Sequence, residues 1–435
     1  PSMTGAPIAA AQTATDAFRD YGYSALPQHR PRGWLRHLAG VATAETAIPA
    51  AQVALERLAA QRVERLKATA ADGWRQRRRP GRPKMRALVA SPGGRLRWRD
   101  VPAPPPPAPD AAIVHPIAVA TCDLDRAMAL GRTPFPLPFH FGHECVAEVA
   151  EVGEQVSTVR PGDRVVVPFQ ISCGTCRPCR AGLTSNCASV PPISMYGFGV
   201  VGGHWGGALS DLLTVPYADG MLVPLPDGVD PAAAASVADN VVDGYRGVAP
   251  HLPHLLERDP DTEVLILNEI GRRPPMSSSV VLYAGLTALA LGARRVHLVD
   301  GRGHVRAHAA GLGMVAHSPD ALRAVGPAAL VVDSTGTKTG VGLAIRHTAP
   351  DGICVSLASL SRRSSIPTAL MYGRNITYEL GRSNARAHIP AVLDLISSGT
   401  LRPETVTTNV GRLDQADRVI TEHVLGEATK TIVIE

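Results

Sequence analysis

The rhythm of apolar and polar positions changes twice along the chain. Over residues 1–84 Ala and Arg dominate and β-branched residues are scarce; a helix is predicted at 48–72, with Val53, Leu55, Leu58 and Val63 partly on one face. From Met85 short β-like runs separated by Gly and Pro take over, and strands are predicted at Ile113–Ala120, Cys145–Val152 and Asp163–Phe169. The Pro-rich stretch Ala103–Asp110 reads as a stiff loop. Beyond about residue 240, strand and helix alternate. Strands are expected at Glu263–Leu267, Arg295–Asp300, Ala328–Asp333 and Gly352–Leu357, with helices at Ser278–Leu291, Gly303–Leu312 and Lys338–His347 between them. That alternation predicts a parallel, doubly wound sheet. From about 372 the elements are mixed again, with a helix at Ala385–Ser398 and a last strand at Thr429–Ile434.

Length and charge sharpen this division. The 435 residues leave room for two or three domains at roughly 150 residues each. The formal charge is +6, but it is uneven: residues 1–84 hold 14 basic and 6 acidic groups, leaving 30 basic and 32 acidic for the rest. The basic balance therefore gives no reason to expect nucleic acid on the globular part. The run RQRRRPGRPK at 75–84 reads as a solvated linker or an upstream extension in preference to a minor-groove arm, because Pro80 stands where such an arm wants Arg. The longest apolar run, Val280–Ala293, is too short to span a bilayer, so no membrane partner is expected. No basic start leads into an apolar run at the N-terminus; a secretory signal is not expected, and a cytoplasmic location is.

Seven cysteines are present, and four form C-x2-C-x2-C-x7-C at Cys173, Cys176, Cys179 and Cys187. An odd, clustered set without a secretion signal argues against a disulfide framework. Four thiolates on one compact loop can close a tetrahedron around zinc and leave no open position, which predicts a structural site. Four free thiols or an iron–sulfur cluster are the competing readings. Gly174, Pro178 and Gly182 let the loop bend. Cys122, His143, Glu144 and Asp239 are further potential ligands, each weak evidence alone.

Together with the cysteine loop these residues carry a resemblance. ATCDLD (120–125), FGHECVAEV (141–149), GDRVVVPFQISCGTCRPC (162–179), VPLPDGV (223–229), VADNVVDGYRGV (237–248), VVDSTG (331–336) and KTIVI (430–434) resemble the zinc-dependent alcohol dehydrogenases of the medium-chain dehydrogenase/reductase superfamily. The likeness spans about 350 residues and is greatest to formaldehyde-dehydrogenase-like and polyol-dehydrogenase-like members. It implies an α/β protein: a GroES-like, mostly β catalytic domain from 85–240 and 372–435, plus a Rossmann-like cofactor domain from 241–371. It implies one structural zinc and one catalytic zinc, the latter on Cys122, His143 and Asp239. Glu144 is the neighbour that approaches or replaces water on the metal. Cys145 and Cys354 match no ligand and read as packing residues. The implied activity is hydride transfer between an alcohol or carbonyl compound and NAD, in a homo-oligomer, dimer or tetramer.

Two departures stand out. The usual proton-relay positions hold Leu124 and Ala127, which cannot pass a proton; Asp123, Asp243 or water are the remaining routes. The Gly-rich phosphate turn is replaced by residues 268–281, which contain a single glycine, Gly271, and place Glu269 where phosphate belongs. Arg272, Arg273 and the seryl groups through Ser279 are the expected compensation, Asp300 the expected ribose acceptor favouring NAD over NADP, and Lys430 a further cofactor contact. Arg302, close to Asp300, weakens that preference. The altered loop also supports an alternative, a zinc-binding relative with lost or changed redox chemistry. Phe169, Tyr196 and Trp205 are candidate pocket-lining residues.

Overall fold

The computed structural model describes residues 83–133, 135–270, 276–358 and 365–435. The leader helix and most of the basic run, as well as Gly271, Arg272 and Arg273, lie outside the described residues.

The first described elements are strands β1 (Lys84–Ser91) and β2 (Arg95–Pro102), paired antiparallel from Lys84 opposite Pro102 to Ser91 opposite Arg95. Gly93 and Gly94 turn the hairpin with φ of 86° and 73°, a region that residues with a Cβ avoid. The short β4 (Phe139–His140) joins β1. The central β sheet is built from β3 (Ala112–Ala120), β5 (Glu144–Val152), β6 (Arg164–Val167), β7 (Leu213–Val215) and β8 (Val223–Pro224), together with β15 (Asn409–Arg412) and β16 (Thr431–Ile434) from the C-terminal end. Its order is β15-β16-β3-β5-β6-β8, with β7 on β3. The end of the chain is therefore sewn into the middle of this sheet: Ile432 faces Ala120, just before Cys122.

The second sheet is parallel and six-stranded. It contains β9 (Val264–Leu267), β10 (Val296–Val299), β11 (Val315–His317), β12 (Ala328–Asp333), β13 (Thr348–Ser356) and β14 (Thr377–Leu380). The order β11-β10-β9-β12-β13-β14 is that of the dinucleotide-binding doubly wound fold, in which ligands sit beyond the strand carboxyl ends where the order reverses. Here that point lies beyond Leu267 and Asp333. The all-apolar strand VLIL and the largely apolar VHLV, whose His297 contacts His317 and Glu263, are buried because helices cover both faces of a parallel sheet. The sheet runs past residue 371, the limit expected from sequence, because β14 pairs with β13.

Candidate metal centres and cofactor crevice

The four cysteines of the 173–187 loop converge. Gly174, at φ 74°, passes so close to Gly220 that an added Cβ would lie 2.7 Å from its Cα. All four ligand atoms lie within 4.8 Å of one another. Cys176 and Cys187 place their sulfurs 3.9 Å apart, against about 2.05 Å for a disulfide and about 3.8 Å for two thiolates on one tetrahedral zinc. Backbone N–H groups point at the sulfurs: Cys173 and Ser189 donate to Cys187, Cys176 to Cys173, and Ala188 to Cys176. Burial raises the Cys173 thiol, but hydrogen bonds from Ser189, Thr175 and the Cys176 N–H outweigh it and bring it down to about 6. Cys176 is lowered as well, whereas burial and the neighbouring sulfurs raise Cys179 and Cys187, a crowding that a shared cation would relieve; the converging set of four sulfurs fits zinc.

The second cluster is assembled from three places in the chain. Cys122 follows β3, His143 immediately precedes β5 and Glu144 opens it, and Asp239 sits in an irregular bend before the Asn240–Arg246 helix. Gly142 permits the close turn into the GHE sequence: φ is 87°, and a Cβ there would lie 2.9 Å from Leu209. The ligand atoms of Cys122, His143, Glu144 and Asp239 again lie within 4.8 Å of one another. Asp239 Oδ2 stands 3.4 Å from both Cys122 Sγ and His143 Nε2, the separation expected of donors about 2.0–2.3 Å from one tetrahedral ion. Both ring nitrogens of His143 are buried without a hydrogen-bond partner, and a metal on Nε2 would satisfy that one. Burial disfavours a charged His143, but Asp239, Asp125 and Glu144 overcome it and raise its pKa. Burial and the same carboxylates hold the Cys122 thiol well above its ordinary range. This negative, dry cluster fits a divalent cation.

Supporting groups around these donors were not legible from the motifs. Asp125 is fully buried; one oxygen accepts the Cys122 N–H at 2.8 Å and the other lies 3.9 Å from His143 Nδ1. Its position three residues after Cys122, inside the CDLD sequence, was the available signal. Asn240 reaches Cys122 Sγ at 3.4 Å and Asp239 Oδ2 at 3.1 Å through Nδ2. Lys430, expected at the cofactor, is wholly buried and donates to Glu144 at 2.8 Å and to Asn240 at 2.9 Å. Phe169 does face the site, with its ring 5.9 Å from that of His143, and Phe198, which sequence reasoning missed, lies 4.9 Å away on the same ring. Tyr196 and Trp205 are core residues instead; each is only 1% exposed, and the Tyr196 hydroxyl donates to Thr214.

In the crevice at the ends of β9 and β10 the polar groups are already engaged. Asp123 sits at the start of the Ser279–Ala290 helix. Its Oδ1 accepts from the Ser279 N–H at 2.8 Å and hydroxyl at 2.6 Å, and its Oδ2 from the Val280 N–H at 3.1 Å. Asp123 therefore caps this helix, and the Ser279 hydroxyl lies within reach of both Asp123 and Asn240. The other relay candidate, Asp243, is paired with Arg246 at 2.6 Å. Asp300 is 0% exposed. It accepts from the Arg302 N–H and Nε at 2.8 and 3.0 Å, from Nη2 at 2.9 Å, and from Asn268 at 2.6 Å. Arg302 also bonds the Met276 carbonyl at 2.9 Å and Ser278, and pairs with Glu269 at 3.2 Å. Glu269 thus shares the Arg302 charge with Asp300. The strand order and the place of Asp300 fit a dinucleotide; a ribose reaches Asp300 only if Arg302 releases it.

Comparison with known proteins agrees with this geometry. Residues 108–227 match the family model described as the alcohol dehydrogenase GroES-like domain. A probable zinc-binding alcohol dehydrogenase of Mycobacterium tuberculosis is 29% identical over 352 residues, 76% of this chain and 83% of that protein. Geraniol dehydrogenase of Castellaniella defragrans is 29% identical over 351 residues, covering 75% and 91% respectively. Among solved structures, an alcohol dehydrogenase from Thermus sp. ATN1 superposes with a TM-score of 0.72 at 28% identity, covering 80% of this chain and 99% of that one.

Proposed function

Because the chain belongs to the zinc-dependent alcohol dehydrogenases of the medium-chain dehydrogenase/reductase superfamily, we propose that it transfers hydride between an alcohol or carbonyl compound and NAD. The single observation that carries this reading is the buried Cys122/His143/Asp239 set, with the His143 ring nitrogens unpartnered. These three residues would hold the reactive zinc, and Cys173, Cys176, Cys179 and Cys187 a structural one. Zinc supplies Lewis-acid activation of the substrate oxygen, and NAD supplies the hydride acceptor.

The chain's own residues prepare this chemistry. Asp125 places a carboxylate oxygen 3.9 Å from His143 Nδ1, beyond hydrogen-bond length, and acts on the ring through its charge, while Nε2 stands 3.4 Å from Asp239. Asn240 holds the Asp239 carboxylate beside Cys122. Lys430 neutralises Glu144, so the cluster keeps a buried carboxylate without a full unpaired charge. Phe169 and Phe198 cover the His143 ring and exclude water from that side. Leu124 and Ala127 carry no proton, so proton exit would run through water in this reading.

The hairpin, the β3-containing sheet and the C-terminal strands are read as the catalytic unit, and the parallel sheet, extended to Leu380, as the cofactor unit. The substrate is read as a small molecule. No helix of the described residues is long and apolar enough to cross a membrane. Assembly into a dimer or tetramer and a cytoplasmic location belong to the same proposal. The non-redox alternative is the weaker reading, since the relatives matched over most of their length are alcohol dehydrogenases. The test is alcohol-dependent reduction of NAD by zinc-loaded protein across a panel of primary, secondary and aryl alcohols. Activity with at least one alcohol, lost in Cys122→Ser, is expected; no turnover in either direction with any of them contradicts the proposal.

A further inference from the structure

The N-terminus of the Ser279–Ala290 helix is where a doubly wound fold receives the dinucleotide pyrophosphate, because the first N–H groups are unpaired there and the helix dipole is positive. In this chain those N–H groups are spent on a carboxylate of the protein itself. Ser279 and Val280 donate to the two oxygens of Asp123, and the Ser277 N–H donates to the Asp123 carbonyl at 3.0 Å. Asp123 lies 156 residues away in sequence, next to Cys122, so this is a tertiary cap joining the metal-bearing loop to the cofactor helix. The cap is buried: Asp123 is 7% exposed and Ser279 0%. At the other end of the crevice Arg302 repeats the pattern, its guanidinium donating to Asp300 where ribose hydroxyls would.

Resting on the cofactor reading above, we propose that Asp123 is the residue that sets dinucleotide affinity in this chain, by occupying the phosphate position as an intramolecular anion. A pyrophosphate approaching the helix finds its donors engaged and meets a like charge. Binding therefore requires the carboxylate to be displaced or the phosphates to be held off the helix end. Asp123→Asn removes the charge and keeps one acceptor oxygen for Ser279, while the Val280 N–H, which now donates to Oδ2, is freed for a phosphate; Asp123→Ser removes the charge and shortens the side chain. Affinity for NADH then rises when a native side chain is lost. A purely structural role for Asp123 predicts the opposite, because loosening the helix end weakens any ligand held there.

The experiment is titration of full-length, zinc-loaded protein with NADH by fluorescence and with ADP-ribose by calorimetry, for the wild type, Asp123→Asn and Asp123→Ser. The expected result is binding at least about tenfold tighter in both variants, for both ligands, with unchanged zinc content. If the wild type binds NADH and neither variant binds more tightly, the assignment to Asp123 is overturned and the cofactor reading stands. Binding that appears only in the variants supports the assignment in its strongest form. Absence of NADH and ADP-ribose binding in all three proteins overturns the cofactor reading together with this inference.

Discussion

Replacing Lys430 by Met tests the most expensive piece of buried electrostatics in the molecule. The Lys430 ammonium and the Glu144 carboxylate are each 0% exposed and 2.8 Å apart. Burial alone would lower the Lys430 pKa, but Glu144 outweighs it and the net shift is upward; burial in turn pushes the Glu144 carboxyl up against the pull of Lys430. Glu144 Oε1 already has no hydrogen-bond partner, and Lys430 is the donor to its other oxygen. Met matches the length of the Lys stem and fills its space, so the loss is mostly charge. A buried carboxylate stripped of its partner costs about 3–5 kcal/mol. Adding Glu144→Gln removes the stranded charge and should recover at least about 2 kcal/mol of that loss, since groups in contact couple on this scale. Urea denaturation of the zinc-loaded proteins, followed by tryptophan fluorescence, measures both. A Lys430→Met cost below about 1 kcal/mol, or a double variant no more stable than the single one, refutes the pair as a structural necessity.

Two further expectations follow from other sites. Asp125→Asn removes the charge facing His143 Nδ1 and should weaken metal at the Cys122 cluster by about 10–100-fold while leaving the cysteine loop loaded; chelator competition reads this, and equal retention at both sites refutes it. Burial, with Arg126 and Lys430, lowers His423 to about 3, and burial lowers His140 to about 4, both from 6.5. The unfolded chain therefore binds more protons at these two positions below pH 6.5, so their joint contribution to stability is full above pH 6.5 and falls as pH drops toward 4, by up to about 2.7 kcal/mol per pH unit, against the opposite slope of the raised Glu144, Asp125 and His143. His423→Gln should remove up to about 1.4 kcal/mol per pH unit of that loss; wild-type and variant stability profiles that run parallel between about pH 7 and 5 contradict the reasoning.

What the sequence discloses depends on whether a signal is local. The cysteine loop is readable because four ligands fall within fifteen residues, and β12 (Ala328–Asp333) because an apolar run is bounded by polar turns. The predicted Ser278–Leu291 helix differs from the observed Ser279–Ala290 by one residue at each end. Strands β11 and β14 escape notice because each is short and at least partly exposed, so neither alternates clearly nor forms an apolar run. The pairs that govern the site are invisible for another reason. Asp123 with Ser279, and Glu144 with Lys430, are 156 and 286 residues apart, and no periodicity links them. Asp300 reads from sequence as a ribose acceptor with Arg302 nearby, and only the folded chain shows the guanidinium bonded to both carboxylate oxygens.

The division of labour between the two metal clusters is tested most directly by zinc analysis of three proteins: the wild type, Cys122→Ser and Cys173→Ser. Two clusters of four donors predict two zinc ions per chain in the wild type. Cys122→Ser should hold one, keep its fold and lose alcohol oxidation; Cys173→Ser should lose the other and unfold at markedly lower urea. A wild type with a single zinc ion, or two variants equal in both fold and activity, contradicts the account.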